Sequence, residues 1–269
     1  MQCNHGSATA GQIDGERAAV KPELPSATIA EHDGLRTLHL GETAWIQGAM
    51  LVRKPRVLVL EYIQRMMAWT LWRDTPEVAR GHAVQLGLGA GAITRFCHQV
   101  LCMQRVTAVE LNPGVIAACR HGFRLPADDA RLAVREQDAG AWVGDDANLQ
   151  CAQVLNVDLY DHEAAAPVLD TQAFYAACRD VLAHGGLMSV NLFGRAASFE
   201  ASAGRIAAAF GRDQVWSLRP TREGNTVVVA ARGVVVPSRE VLATRAANIE
   251  ERYGLPARKW LRMVRPLQT

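Results

Sequence analysis

The run Ala83-Val84-Gln85-Leu86-Gly87-Leu88-Gly89-Ala90-Gly91-Ala92, followed nineteen residues after its last glycine by Glu110, constrains this chain more than any other feature. It reads as a buried strand, a tight glycine turn, a helix and a second strand that ends in a carboxylate. Glycines let backbone approach a ligand closely, and the helix start behind them offers unpaired N–H groups. A carboxylate at the next strand end can accept from both hydroxyls of a ribose. Gly87, Gly89, Gly91 and Glu110 are therefore the expected cofactor-binding residues of a nucleoside pocket. Two plainer readings stand beside this one: glycines also serve close helix–strand packing, and the Asn112-Pro113 pair makes Glu110 a possible helix-start acid.

The rest of the pattern predicts an α/β fold. Strands are expected at 83–87, 105–110, 131–135, 153–158 and 186–192, with helices near 91–102, 113–121, 171–183 and 198–210. Such alternation implies a parallel sheet covered by helices on both faces. Residues 214–218 and 226–231 have no helix between them, so they are expected to close the sheet as an antiparallel hairpin and bring it to seven strands. Ser238 should cap a last helix that runs to about Tyr253. Ahead of the glycine loop, Asp33-Gly34 between two short β-rich runs predicts a tight hairpin, and Tyr62 to Trp72 carries apolar residues at helical spacing. The expected organisation is a flexible tail at 1–26, a small β element at 27–60, the nucleoside-binding catalytic domain at 61–236 and a helical extension at 237–269.

Composition narrows the function classes. A net charge of +2 over 269 residues gives no concentrated basic surface, so nucleic acid is not the expected partner. No apolar run approaches the roughly 18 residues of a membrane helix, and the first two dozen residues contain no apolar signal region. The six cysteines lack the paired short spacings of a zinc site and read as reduced thiols. A cytoplasmic protein without metal or membrane partner is the expectation.

Ligands of open α/β sheets bind beyond the carboxyl ends of the strands. Two further features fall there. Asp138, just after the third strand of the alternation, is either a turn cap or an acceptor for an adenine amino group. Asp158-Leu159-Tyr160-Asp161 closes the fourth, where Asn156 and Asp158 interrupt an apolar run. A carboxylate at such a place needs a partner or a task. Two carboxylates three residues apart can hold a cationic amine, and one can take its proton so that the nitrogen attacks. Tyr160 between them is placed to form an aromatic wall. A solvated Asp-rich turn is the plainer reading.

Taken in order, Gln47-Gly-Ala-Met, Tyr62, Gly-Leu-Gly-Ala-Gly, Val-Glu-Leu-Asn-Pro, Asp138, Asp158-Leu-Tyr-Asp161 and Phe174-Tyr175 resemble the spermidine synthase, or polyamine aminopropyltransferase, family from about residue 35 to residue 232. The resemblance implies a Rossmann-like class I methyltransferase sheet behind an N-terminal β domain, in a homodimer or larger assembly. It implies decarboxylated S-adenosylmethionine, or S-adenosylmethionine, as co-substrate and a small-molecule amine such as putrescine as acceptor. Asp158 would deprotonate the amine, Glu110 bind ribose, Asp138 bind adenine and Gln47 help hold the nucleoside. Tyr62 and Asp161 would contact the polyamine. The sequence departs from that family where its members commonly carry a loop aspartate, because Ala90 stands there. It departs again at Asn191-Leu192-Phe193, in place of a polar glutamine, and at Thr221 to Gly224, which lacks an aromatic residue. An S-adenosylmethionine methyltransferase of unknown acceptor and a non-catalytic nucleoside-binding homologue are the alternatives.

Overall fold

The computed structural model describes residues 24–160, 169–194 and 196–267. The chain begins with a three-stranded antiparallel sheet of β1 (Ala27–His32), β2 (Leu35–Leu40) and β3 (Gly48–Leu51). His32 pairs with Leu35, and the two residues between them, Asp33 and Gly34, have φ of 50° and 74°. A two-residue hairpin turn needs that left-handed backbone at both positions, which is why Asp-Gly marked it in the sequence.

α1 (Glu61–Met66) follows and tightens into a 3-10 turn over Met67–Trp72, where the sequence predicts one continuous helix. All six residues of that turn are buried, and the Thr70 hydroxyl donates to the Met67 carbonyl at 2.8 Å. A segment with no solvent face is held by tertiary packing, which overrides helical periodicity.

The main sheet is then built from β4 (His82–Leu86), α2 (Ala92–Gln99), β5 (Arg105–Glu110), α3 (Pro113–Gly122), β6 (Leu132–Glu136), α4 (Ala139–Val143), β7 (Ala152–Val157), α5 (Gln172–Val181), β8 (Leu182–Phe193) and α6 (Ala196–Phe210). β9 (Val215–Ser217) and β10 (Asn225–Ala231) form the expected antiparallel hairpin. Ser238 caps α7 (Arg239–Tyr253), and α8 (Ala257–Met263) leads into β11 (Arg265–Pro266). The strand order is β11-β9-β10-β8-β7-β4-β5-β6, eight strands among the described residues instead of the expected seven. The extra strand is a two-residue pairing of Arg265 and Pro266 with Ser217 and Trp216. It carries no periodicity to read, and its proline, which lacks an N–H, suits an edge position.

Each face of this sheet has its own core. Ala83, Val154, Leu187 and Val229 pack against Met66, Trp69, Phe96 and Trp260. Val84, Leu155, Met188 and Val228 pack against Trp142, Phe174 and Phe210 on the other side. A third cluster joins Leu38 and Met50 of the small sheet to Leu88, Ala90, Val115 and Phe123.

Asn112 starts α3 with its side chain, accepting from the Gly114 N–H at 2.8 Å, while its amide donates to the Pro25 carbonyl at 2.7 Å. That single residue ties the helix start to the N-terminal segment. Asn112→Ala should lower unfolding stability by about 1–2 kcal/mol, read as a shift in denaturant midpoint at unchanged slope.

β4 lies between β5 and β7, and the chain builds outward from it in opposite directions. This is the switch point of an open sheet, where the loops after two neighbouring strands part and leave a crevice. The loops that part are the glycine loop and the segment starting at Asp158.

Candidate active site

Gly87 sits at the end of β4 with φ of 81°, and a Cβ there would lie 2.1 Å from the Asp158 carbonyl oxygen. Glycine alone meets both constraints. The two strand ends therefore touch at the base of the crevice, and Asp158 is brought beside the glycine turn.

A cavity of about 790 Å³ opens at this switch point. Gln47, Tyr62, Gly87, Gly89, Glu110, Asp138, Asp158 and Tyr160, eight of the ten residues singled out from the sequence, all line it. Gly91 lies at the start of α2 and does not line it; it supplies the left-handed residue that caps the helix, with φ of 67°. Asp161 lies outside the described residues.

Glu110 ties the glycine loop to the start of α3. One carboxylate oxygen accepts from the Leu88 N–H and the other from the Asn112 N–H, each at 2.9 Å. Burial pushes its pKa up, while backbone N–H groups of Asn112, Leu88 and Leu111 pull it down; burial prevails. Each oxygen has a second lone pair with which to accept a hydroxyl from the cavity. Asp138 takes the plainer of its two sequence readings as well: its Oδ1 caps α4 by accepting from the Ala141 N–H at 2.8 Å. It still borders the cavity, as does Gln137.

At the other end of the cavity, Asp158 is held from two sides. The Asn191 amide donates to its Oδ1 at 2.9 Å, and the Tyr62 hydroxyl donates to the carboxylate. Desolvation nevertheless raises the Asp158 carboxyl above the ordinary range, over the opposing pull of those two donors. A buried carboxylate with raised affinity for a proton is suited to act as a general base on an ammonium group. The Tyr160 hydroxyl donates to the Asn191 carbonyl at 3.0 Å, so the phenol is anchored and its ring stands as a wall.

The sequence did not reveal the support behind Asp158. Asn225 donates from Nδ2 to the Asn191 Oδ1 at 3.1 Å, and Thr221 in turn caps Asn225, donating from its hydroxyl and accepting from the Asn225 N–H. The signal was present as polar residues in apolar strands, at the position where Asn191 replaces a glutamine. Also missed were Trp45 and Phe193, whose rings meet edge-on at 5.9 Å beside the cavity, and the carboxylates Glu61 and Glu223. Ala90 is buried, packed so closely on β3 that a Cβ on Gly48 would lie 2.5 Å from its own. It does not face the large cavity.

No protein-family model matches the chain. A polyamine aminopropyltransferase from Chromobacterium violaceum is 32% identical over 243 residues, which cover 89% of this chain and 90% of that protein. The chain belongs to the polyamine aminopropyltransferase family. Among solved structures, a probable spermidine synthase from Corynebacterium glutamicum superposes with a TM-score of 0.69 at 19% identity, covering 98% of this chain and all of that one. Human methyltransferase-like protein 13, solved in complex with SAH, superposes at 0.63 and 19% identity, covering 78% and 96%. Both likenesses speak to the fold: a methyltransferase-like sheet that this aminopropyltransferase-family chain shares with a methyltransferase-like protein. The family membership makes the chain a transferase, and Asp158, Tyr62 and Glu110 line one cavity in it.

Proposed function

We propose that the protein transfers an aminopropyl group from decarboxylated S-adenosylmethionine to an amine of a polyamine such as putrescine. The observation that carries this reading is the charge of the cavity wall. Glu110, Asp138, Asp158 and Glu223 line it together with Glu61, whose carboxylate is paired with Arg65 and Lys259, and no lysine, arginine or histidine lines it among the described residues. Clefts of one sign concentrate ligands of the other. A sulfonium nucleoside and a polyamine are both cations and suit a wall of that sign.

In this reading the nucleoside lies along the glycine loop, with its ribose on Glu110 and its adenine beside Asp138 and Gln47. The amine approaches past Trp45 and Phe193 to Asp158. There the carboxylate takes a proton from the ammonium, and Tyr62 and Asn191 hold that carboxylate in place. The freed lone pair forms a carbon–nitrogen bond as the carbon–sulfur bond breaks, and the electron pair returns to sulfur, leaving a neutral thioether. Positioning the two reactants in line supplies most of the acceleration, and proton removal the rest. The decarboxylated nucleoside, the small-molecule amine, a cytoplasmic setting and a homodimer belong to this proposal together.

A second reading is favoured by Ala90. With no carboxylate in the loop to pair with a donor's ammonium, intact S-adenosylmethionine and methyl transfer become the competing pair. The leaving nucleoside separates them. Incubation with both donors and a panel of amines, followed by mass spectrometry, should show 5′-methylthioadenosine from the decarboxylated donor together with an aminopropylated amine. S-adenosylhomocysteine as the sole nucleoside product would replace the first reading with the second. Neither product from any amine would favour a binding protein without turnover.

A further inference from the structure

Behind the glycine loop lies a second, much smaller cavity of about 10 Å³, lined by Gln47, Gln85 and Asp158 and otherwise by apolar side chains and loop backbone. Gln85 is 4% exposed. Its amide nitrogen donates to the Gly87 carbonyl at 2.7 Å, which fixes the group, while its Oε1 is buried without a hydrogen-bond partner. A buried carbonyl oxygen left unpaired costs free energy, and native proteins pair such atoms or give them water. The polar strip continues sideways from here. Gln85 pairs in register with Asn156, and Asn156 with Ser189, so the three side chains stand on one face of β4, β7 and β8. Both polar atoms of the Asn156 side chain and the Ser189 hydroxyl are likewise buried and unpartnered. Asn156 and Ser189 sit two residues before Asp158 and Asn191 on those same faces. This strip therefore runs directly behind the Asp158–Asn191 pair.

We propose that the small cavity is an internal water site, in which one water donates to both the Gln85 Oε1 and the Asp158 carboxylate and makes Gln85 a positioning residue for the base. Its volume matches a single water, and the two groups are both acceptors, which match the two protons a water donates. The proposal rests on the reading of Asp158 as the base, and it gives that base a third donor beside Asn191 and Tyr62. Hydrogen bonds to an ionised carboxylate favour the ionised form. The other titratable groups facing Asp158 among the described residues are the phenols of Tyr62 on α1 and Tyr160 beyond β7; burial raises both, so they stay neutral while Asp158 titrates.

The test is a carbon-13 titration of aspartate-labelled protein without ligand, the Asp158 signal being assigned by its loss in Asp158→Asn. Gln85→Met keeps the volume and removes the acceptor. It should move the Asp158 midpoint upward by ~0.5–1 unit and shift the acid limb of the kcat/KM profile the same way. A high-resolution crystal structure of the unaltered protein should show that water within hydrogen-bond distance of both groups. An unshifted midpoint in Gln85→Met, or a well-ordered site holding no water, overturns the proposal, and the crystal result stands even if Gln85→Met fails to fold. Retained transfer in Asp158→Asn would overturn the base assignment instead, leaving titration and water to be judged separately.

Discussion

Asp158→Asn is expected to lower kcat by about 10²–10⁴-fold while leaving nucleoside affinity within a few-fold of the unaltered protein. The split follows from the geometry. In the proposed reading Asp158 faces the acceptor amine, and the nucleoside contacts assigned to Glu110 and the glycine loop come from other strands. An asparagine can keep accepting from the Asn191 amide while its own amide donates to the Tyr62 hydroxyl oxygen, but it has no basic oxygen with which to take a proton from an ammonium. Single-turnover measurement of product formation, with calorimetry of nucleoside binding on the same preparation, reads both halves. A kcat within threefold of the original would remove Asp158 from the role of base.

The same substitution should make the protein more stable at neutral pH. Burial raises the Asp158 pKa in the folded state above its unfolded value. The folded protein therefore binds that proton more tightly, and ionisation of Asp158 works against folding as pH rises through the interval between the two values. Asparagine removes the penalty. The melting temperature of Asp158→Asn should exceed that of the original at pH 7, and the gap should close below the ordinary carboxylate range. Activity and stability pulling apart at one residue is the mark of a group kept in an unfavourable place for its chemistry.

How the sequence announced this arrangement depended on the kind of signal. β4, β5, β7 and the glycine turn were legible because a βαβ unit repeats hydrophobic and turn residues over a long stretch, and the glycines meet steric demands no other residue can. Asp158 was legible because it breaks an apolar run at a strand end. The network behind it was not: Asn191 and Asn225 lie 34 residues apart, and only the antiparallel pairing of β8 with β10 brings their amides together. α4 and β11 are too short to carry a period, and the 3-10 turn at Met67–Trp72 is shaped by burial on all sides. The acidic wall was spread across separate helices, strands and loops, from Glu61 to Glu223, so no local window contained it.

Glu110 should account for the largest share of nucleoside affinity held by one side chain. Glu110→Gln is expected to weaken binding of the sulfonium nucleoside about 10²-fold, measured by calorimetry, with kcat at saturating donor much less affected. A hydrogen bond to a charged acceptor contributes about 1.5–3 kcal/mol, and the amide exchanges one of the two charged oxygens for a donor. In the ligand-free protein the same amide would face either the Leu88 or the Asn112 N–H, donor against donor. The glycine loop and the start of α3 would then lose the clamp that holds them at a common spacing. Glu110→Asp separates the two contributions. It keeps the charge but shortens the reach, so if the clamp matters more than the charge, Glu110→Asp should bind as poorly as Glu110→Gln. If charge at the ribose dominates, Glu110→Asp should recover roughly half of the lost binding free energy. Equal affinity in all three proteins would place the ribose elsewhere in the cavity and leave Glu110 as a loop tie alone.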